Sequence, residues 1–92
     1  MTMSVTLEQY EIIRIDAIAA RVIFAVSHSS GRYREEILGL ATIETRMRLW
    51  EENVQRDHSL LWRDQAGHRN YRQYVEALVT TRKAITPMAC PD

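Results

Sequence analysis

Residues 7–28, LEQYEIIRIDAIAARVIFAVSH, decide how this 92-residue chain is read. Wound as a helix at about 100° per residue, the stretch carries two apolar stripes. Ile12, Ile15, Ala19, Val22, Ile23 and Val26 fall on one side, and Tyr10, Ile13, Ala17, Ala20 and Phe24 on another, leaving Glu11, Arg14 and Arg21 for a polar strip. A helix apolar over most of its circumference is buried from more than one direction. Thr6 followed by Gln9 has the spacing of a capping box, so this first helix is expected to open near Leu7 and to stop across Ser27 to Gly31. The competing reading is a strand over residues 21–26, where Val22, Ile23 and Val26 suit a pleated surface. A strand needs a partner strand. No second run of β-like composition stands out, so the helix is preferred.

Downstream, Leu40, Ile43, Met47, Trp50 and Val54 recur at spacings of three and four, which predicts a second helix with a narrow apolar seam. Glu35, Glu36, Glu44, Arg46, Arg48, Glu51 and Glu52 flank that seam as a solvated face, and Gly39 would sit within the helix. Asp57 and Ser59 are competent caps, so the second helix is expected to end near Gln55 and a short helical segment with Leu60, Leu61 and Trp62 to follow, closed by Gly67. Asn70 with Gln73 then opens a third helix at Tyr71, with Tyr71, Tyr74, Val75, Leu78 and Ile85 inward. Pro87 and Pro91 close it. The fold class predicted is therefore all-α, a three-helix antiparallel bundle with a short extra segment between helices 2 and 3. It forms a single helical domain over residues 1–92, with flexible ends at 1–6 and 86–92.

Bulk composition narrows the function classes. Twelve basic and twelve acidic side chains cancel, so no overall field draws the chain to nucleic acid or to an anionic membrane. Eleven of the twelve basic residues are arginine, which suits planar, bidentate contacts. The single cysteine, Cys90, has no internal disulfide partner; together with the absence of a signal-peptide pattern and of a long uncharged apolar run, this points to a cytoplasmic protein without a membrane span.

Few residues form a chemical constellation. His28, His58 and His68 lack the spacing of a metal site, Cys90 lies between two prolines with nothing to activate it, and Gly31, Gly39 and Gly67 are too isolated for a phosphate loop. No catalytic set, cofactor or metal is expected. Trp62, flanked by Arg63 and Asp64, has the character of an interface anchor, and Arg63, Arg69 and Arg72 join it as candidate partner-binding residues. Arg63, Arg69, Arg72, Arg82 and Lys83, interleaved with Tyr71 and Tyr74, also suit nucleic acid, but Asp64 and Glu76 lie among them.

Fully burying a side chain such as Ile13 or Phe24 stabilises by about 1.5–3 kcal/mol. The second stripe of helix 1 is accordingly expected to be covered by a second copy, with Tyr10, Ile13, Ala17, Ala20 and Phe24 as the dimer interface. The functional expectation is a small non-catalytic interaction protein, a regulator or inhibitor that binds another protein such as a transcription factor. The alternative is a nucleic-acid binder using the helix 3 arginines. A third reading comes from Arg14, Ile15, Asp16, Ala17 and Ile18, which resemble the early part of the first helix of the single-chain helical chorismate mutases. That resemblance implies a dimeric helical enzyme with converging cations, including a lysine from the second helix. In this chain no lysine precedes Lys83.

Overall fold

The structure is a computed structural model that describes residues 6–89, with side chains placed through residue 84. It is an α+β fold. Strands β1 (Glu8–Asp16), β2 (Arg21–His28) and β3 (Tyr33–Gly39) form an antiparallel meander in the order β1-β2-β3. The helices α1 (Leu40–Arg56), α2 (Leu60–Arg63) and α3 (Gln65–Ala89) follow.

The expected first helix is thus a β-hairpin, so the all-α bundle is overturned and the helix surface expected to form the dimer is replaced by strands and a turn. On β2 the alternation is strict: Val22, Phe24 and Val26 point inward with at most 1% exposure, while Ile23 and Ala25 point to the other face. The register sets Val26 between Tyr10 and Arg34, Phe24 between Ile12 and Glu36, and Val22 between Ile15 and Leu38. Ile43 from α1 and Tyr74, Ala77 and Leu78 from α3 close the core over this face. Tyr10, Phe24 and Tyr74 meet edge-on or tilted, with ring centroids 5.7–5.8 Å apart. Of the five residues expected at the dimer interface, Tyr10 and Phe24 therefore lie in the core. Ile13 sits in a β-bulge at 47% exposure, and Ala17 and Ala20 belong to the β1–β2 turn.

The two turns differ in chemistry. Between β2 and β3, the His28 carbonyl accepts from the Gly31 amide, the His28 amide donates to the Arg32 carbonyl, and Gly31 has φ +96°. This is the three-residue hairpin loop in which the last residue is left-handed, a conformation glycine adopts freely. Between β1 and β2 that left-handed role falls to Ala20, at φ +56°. Asp16 anchors this turn by accepting the Ala19 amide at 3.1 Å, which holds its carboxyl below the usual range. A left-handed alanine costs about 1–2 kcal/mol, and glycine loses about 0.5–1 kcal/mol more in chain entropy. Ala20→Gly is accordingly expected to stabilise by about 0.5–1 kcal/mol, read as a rise in the thermal midpoint of roughly 2–8 °C. A lower midpoint would show that the turn is not strained.

The two free edges of the sheet are treated unequally. On β1, Asn70 of α3 accepts the Tyr10 amide at 2.9 Å and donates to the Glu8 carbonyl at 2.8 Å, and Gln73 accepts the Ile12 amide at 3.0 Å. Two amide side chains thus stand where a neighbouring strand would stand. The expected opening of a third helix at Asn70 is corrected for the same reason: α3 begins five residues earlier, and Asn70 serves β1 from within it. Thr6, expected to cap a helix, instead donates its hydroxyl to Asp64 Oδ2 at 2.6 Å. Asp64 caps α3 by accepting the Gly67 amide, so Gly67 lies inside α3 rather than ending α2. Glu35 and Glu36 belong to β3, and Gly39 precedes α1.

The helix continues through Pro87, which forfeits only one backbone hydrogen bond, near the end of 25 residues. Of the ends expected to be flexible, Thr6 is pinned to Asp64 and residues 86–89 are helical, while 1–5 and 90–92, with Cys90 and Pro91, lie outside the described residues.

Candidate protein-interaction site

The apolar seam expected on helix 2 is present on α1, and its far half leaves the sheet. Ile43 is fully buried and Leu40 and Met47 pack against the core. Trp50 and Val54, one and two turns further, reach a groove between the three helices.

Asp57 ends α1, its amide donating to the Asn53 carbonyl. Its carboxylate accepts the Ser59 hydroxyl at 2.6 Å and the Ser59 amide at 3.1 Å, and the Arg63 guanidinium closes on it from the end of α2. The Ser59 hydroxyl, with Arg63 assisting, holds the Asp57 carboxyl below the usual range. Arg63 Nε also donates to Ser59 Oγ at 2.7 Å. A single turn of helix, too short to persist alone, is fixed in this way between α1 and α3, presenting Leu61 at 38% and Trp62 at 64% exposure.

On the opposite wall, His68 and Tyr71 stand on one face of α3. The Trp50 ring lies 6.1 Å from His68 at 8° and 6.5 Å from Tyr71 at 30°, while His68 and Tyr71 are 6.4 Å apart at 25°. The Tyr71 hydroxyl donates to Glu51 at 2.8 Å, and that hydrogen bond, with partial burial, raises the phenol above its usual pKa. The result is a groove of about 190 Å³ lined by Trp50, Glu51, Val54, Leu61, His68 and Tyr71. Its walls are mostly ring faces and aliphatic carbon.

Among the expected partner-binding residues, Trp62 lies exposed on α2, next in sequence to the groove-lining Leu61, and Arg63 is tied to Asp57. Arg69 is turned away toward β1, where it donates to Gln9 at 3.4 Å, and Arg72 is exposed on α3. The structure therefore keeps Trp62 and Arg63 together and sends Arg69 to the sheet edge. The sequence alone does not mark Val54, Leu61, His68 and Tyr71 as site residues. The i, i+3 spacing of His68 and Tyr71 is the available signal, and it becomes visible only once α3 is extended back to Gln65.

A second polar cluster closes the open end of the core. Arg46 lies over the rings of Tyr10 and Tyr74, 5.4 and 6.0 Å from their centroids, and donates to Glu36 at 3.4 Å and to the Tyr74 hydroxyl at 3.3 Å. Arg34 bridges Glu8 at 2.6 Å and Glu36 at 3.2 Å. Burial pushes the Glu36 carboxyl up, but the Tyr10 hydroxyl and the two arginines outweigh it and keep the group below its usual range. Burial also raises the Tyr74 phenol. The cations and carboxylates here satisfy one another, so the cluster acts as a polar clasp on the sheet.

Arg14, within the stretch that resembles the chorismate mutases, and Arg21, of the expected polar strip, lie on adjacent strands facing away from the helices, Arg14 opposite Ile23 and Arg21 opposite Asp16. The helix that the resemblance requires is absent from residues 14–18. Among the described residues no three histidine, cysteine or carboxylate side chains converge as a metal set, and no helix is long and apolar enough to cross a membrane. Comparison with family models, with characterised proteins and with solved structures gave no match.

Proposed function

We propose that the protein is a small non-catalytic binding module that regulates a larger protein by gripping apolar side chains of that partner in the α1–α2–α3 groove. The observation that carries this reading is a preformed apolar groove whose wall includes Leu61 of α2, on a helical turn braced by Asp57 and Ser59 that also presents Trp62 at 64% exposure. Exposed tryptophan on a rigid support is the residue type that dominates binding energy at interfaces. The size of the groove selects the kind of occupant. Small-molecule and cofactor sites run to about 300–1,000 Å³, whereas about 190 Å³ suits one or two inserted side chains. Glu51 on one wall gives the groove a carboxylate. The preferred occupant is the apolar face of an amphipathic helix carrying a cation that can reach Glu51.

A selection of helical peptides from a random library against the immobilised protein tests this. Enriched peptides are expected to carry paired large apolar anchors and to compete with one another. Their affinity, measured by calorimetry, is expected to fall about thirtyfold in Trp62→Ala and at least as much in Val54→Arg. No enrichment, or peptides that bind both variants as well as the parent, would overturn the reading.

A further inference from the structure

We propose that the uncovered edge of β3 pairs with the β3 edge of a second copy, antiparallel and centred on Glu35, to give one continuous six-stranded sheet. The hydrogen-bond parity of the hairpin fixes which groups are free. His28 and Arg32 form the bonded pair that closes the β2–β3 loop, so the alternating pairs Val26 with Arg34, Phe24 with Glu36 and Val22 with Leu38 are also bonded pairs. The amides and carbonyls of Tyr33, Glu35 and Ile37 therefore face away from β2. At the other edge Asn70 and Gln73 occupy the corresponding groups of β1. Among the described residues the β1 edge is covered by amide side chains, whereas the β3 edge carries charged side chains but no element over it.

The sequence of β3, YREEILG, selects a second copy as the occupant because it complements itself when reversed. With Glu35 on the two-fold axis, Tyr33 falls opposite Ile37 of the second copy and Ile37 opposite its Tyr33. These are apolar pairs on the outer face, and both residues are now mostly exposed, at 61% and 58%. On the inner face Arg34 falls opposite Glu36 of the second copy, and Glu36 opposite its Arg34. Opposed charges and aromatic–β-branched pairs are the cross-strand contacts that stabilise antiparallel sheets, and the like pair of Glu35 carboxylates at the axis is the one contact that opposes them. Sliding one strand by two residues either way, the smallest slip that keeps outer-face residues opposite outer-face residues, moves the axis to Arg34 or Glu36, which sets like charges together there and breaks both apolar pairs. The surface lies on the sheet, away from the helical groove, so this inference stands or falls separately from the binding function.

Sedimentation equilibrium and site-directed crosslinking of the full chain test it. The parent is expected to dimerise. Glu35→Pro is expected to be monomeric with an unchanged circular dichroism spectrum, because the lost amide is one that β2 does not use. Glu35→Gln, which removes the charge repulsion at the axis, is expected to tighten the dimer by about two- to fivefold. In a Cys90→Ser background, Glu35→Cys is expected to crosslink on mild oxidation, since bonded antiparallel pairs stand about 5.5 Å apart at Cα, within disulfide reach. Should Glu35→Pro fail to fold, Tyr33→Lys with Ile37→Lys is expected to dissociate the dimer, and Tyr33→Glu with Ile37→Lys to keep it by pairing new opposite charges. A parent that stays monomeric at high micromolar concentration, a dimer that survives these edge substitutions, or a dimer lost only in Val54→Arg would overturn the proposal.

Discussion

Asn70→Leu is expected to lower the free energy of unfolding by about 2–6 kcal/mol, a large part of the total for a chain of this size. The side chain is 6% exposed and holds two backbone groups of β1 at once, accepting the Tyr10 amide and donating to the Glu8 carbonyl. Leucine has nearly the same volume, so it fills the space, excludes water and leaves both groups unpaired. Each buried orphan costs about 1–3 kcal/mol. Asn70→Asp separates the two halves of the contact: the carboxylate still accepts from Tyr10 but is set against the Glu8 carbonyl oxygen, so a loss at least as large is expected at neutral pH, easing at acid pH where the protonated carboxyl can donate to that carbonyl. Urea denaturation gives the free energies, and amide exchange gives the location. Tyr10 should lose protection in Asn70→Leu before the core amides of β2 do. Stability within about 0.5 kcal/mol of the parent, with Tyr10 still protected, would mean that α3 does not hold the β1 edge.

This contact also bears on why part of the fold was legible in the sequence and part was not. The seam of Leu40, Ile43, Met47, Trp50 and Val54 corresponds to α1, which begins at Leu40 and ends at Arg56, close to the expected Gln55. The short helical segment with Leu60, Leu61 and Trp62 is α2. Both signals are local: apolar spacing on one helix face, then Asp57 and Ser59 forming a stop.

The hairpin escaped for identifiable reasons. The period of two on β2 is clean, but β1 carries a bulge between Ile12 and Arg14 that shifts its alternation by one, so its apolar residues imitate a helical stripe. The intervening turn holds no glycine, proline or asparagine to announce it, because Ala20 takes the left-handed position itself. Strand β3, the partner whose absence argued for a helix, is an edge strand with one open face, and its Tyr-Arg-Glu-Glu run reads as polar. Asn70 misled in a different way. Its type and spacing match a helix cap, yet the group it satisfies lies 60 residues away in β1, a separation that no local pattern encodes. The helical groove was half legible for the same reason. Trp62 stands out by type alone, whereas His68 and Tyr71 become one face only after the start of α3 is known.

Gly67→Ala is expected to destabilise by about 0.5–4 kcal/mol, net of the helix-propensity gain of about 1 kcal/mol that alanine brings to a helix interior. An added Cβ would stand 2.5 Å from Asp64 Oδ2, 2.7 Å from Trp50 Cζ3 and 2.9 Å from Thr6 Oγ1. All three are side-chain atoms, so the cost depends on whether they can yield, and each is held. Asp64, 7% exposed, accepts the Thr6 hydroxyl at 2.6 Å and the Gly67 amide at 3.1 Å, and displacing it removes the cap of α3 together with the tether of the chain ahead of β1. A lost cap costs about 0.5–2 kcal/mol and forced overpacking about 1–3 kcal/mol, which together exceed the propensity gain. Trp50 can retreat only into the groove it lines, which disturbs its stacking with His68 and Tyr71. The damage should therefore spread to the groove, and near-ultraviolet circular dichroism of the tryptophans should change along with stability. Gly39→Ala is the control: it meets no atom within 4 Å, and a change within about 0.5 kcal/mol is expected. A Gly67→Ala protein as stable as the parent, with an unaltered tryptophan spectrum, would show that α3, Asp64 and Trp50 are not packed against one another at this residue, and the preformed groove would lose its structural basis.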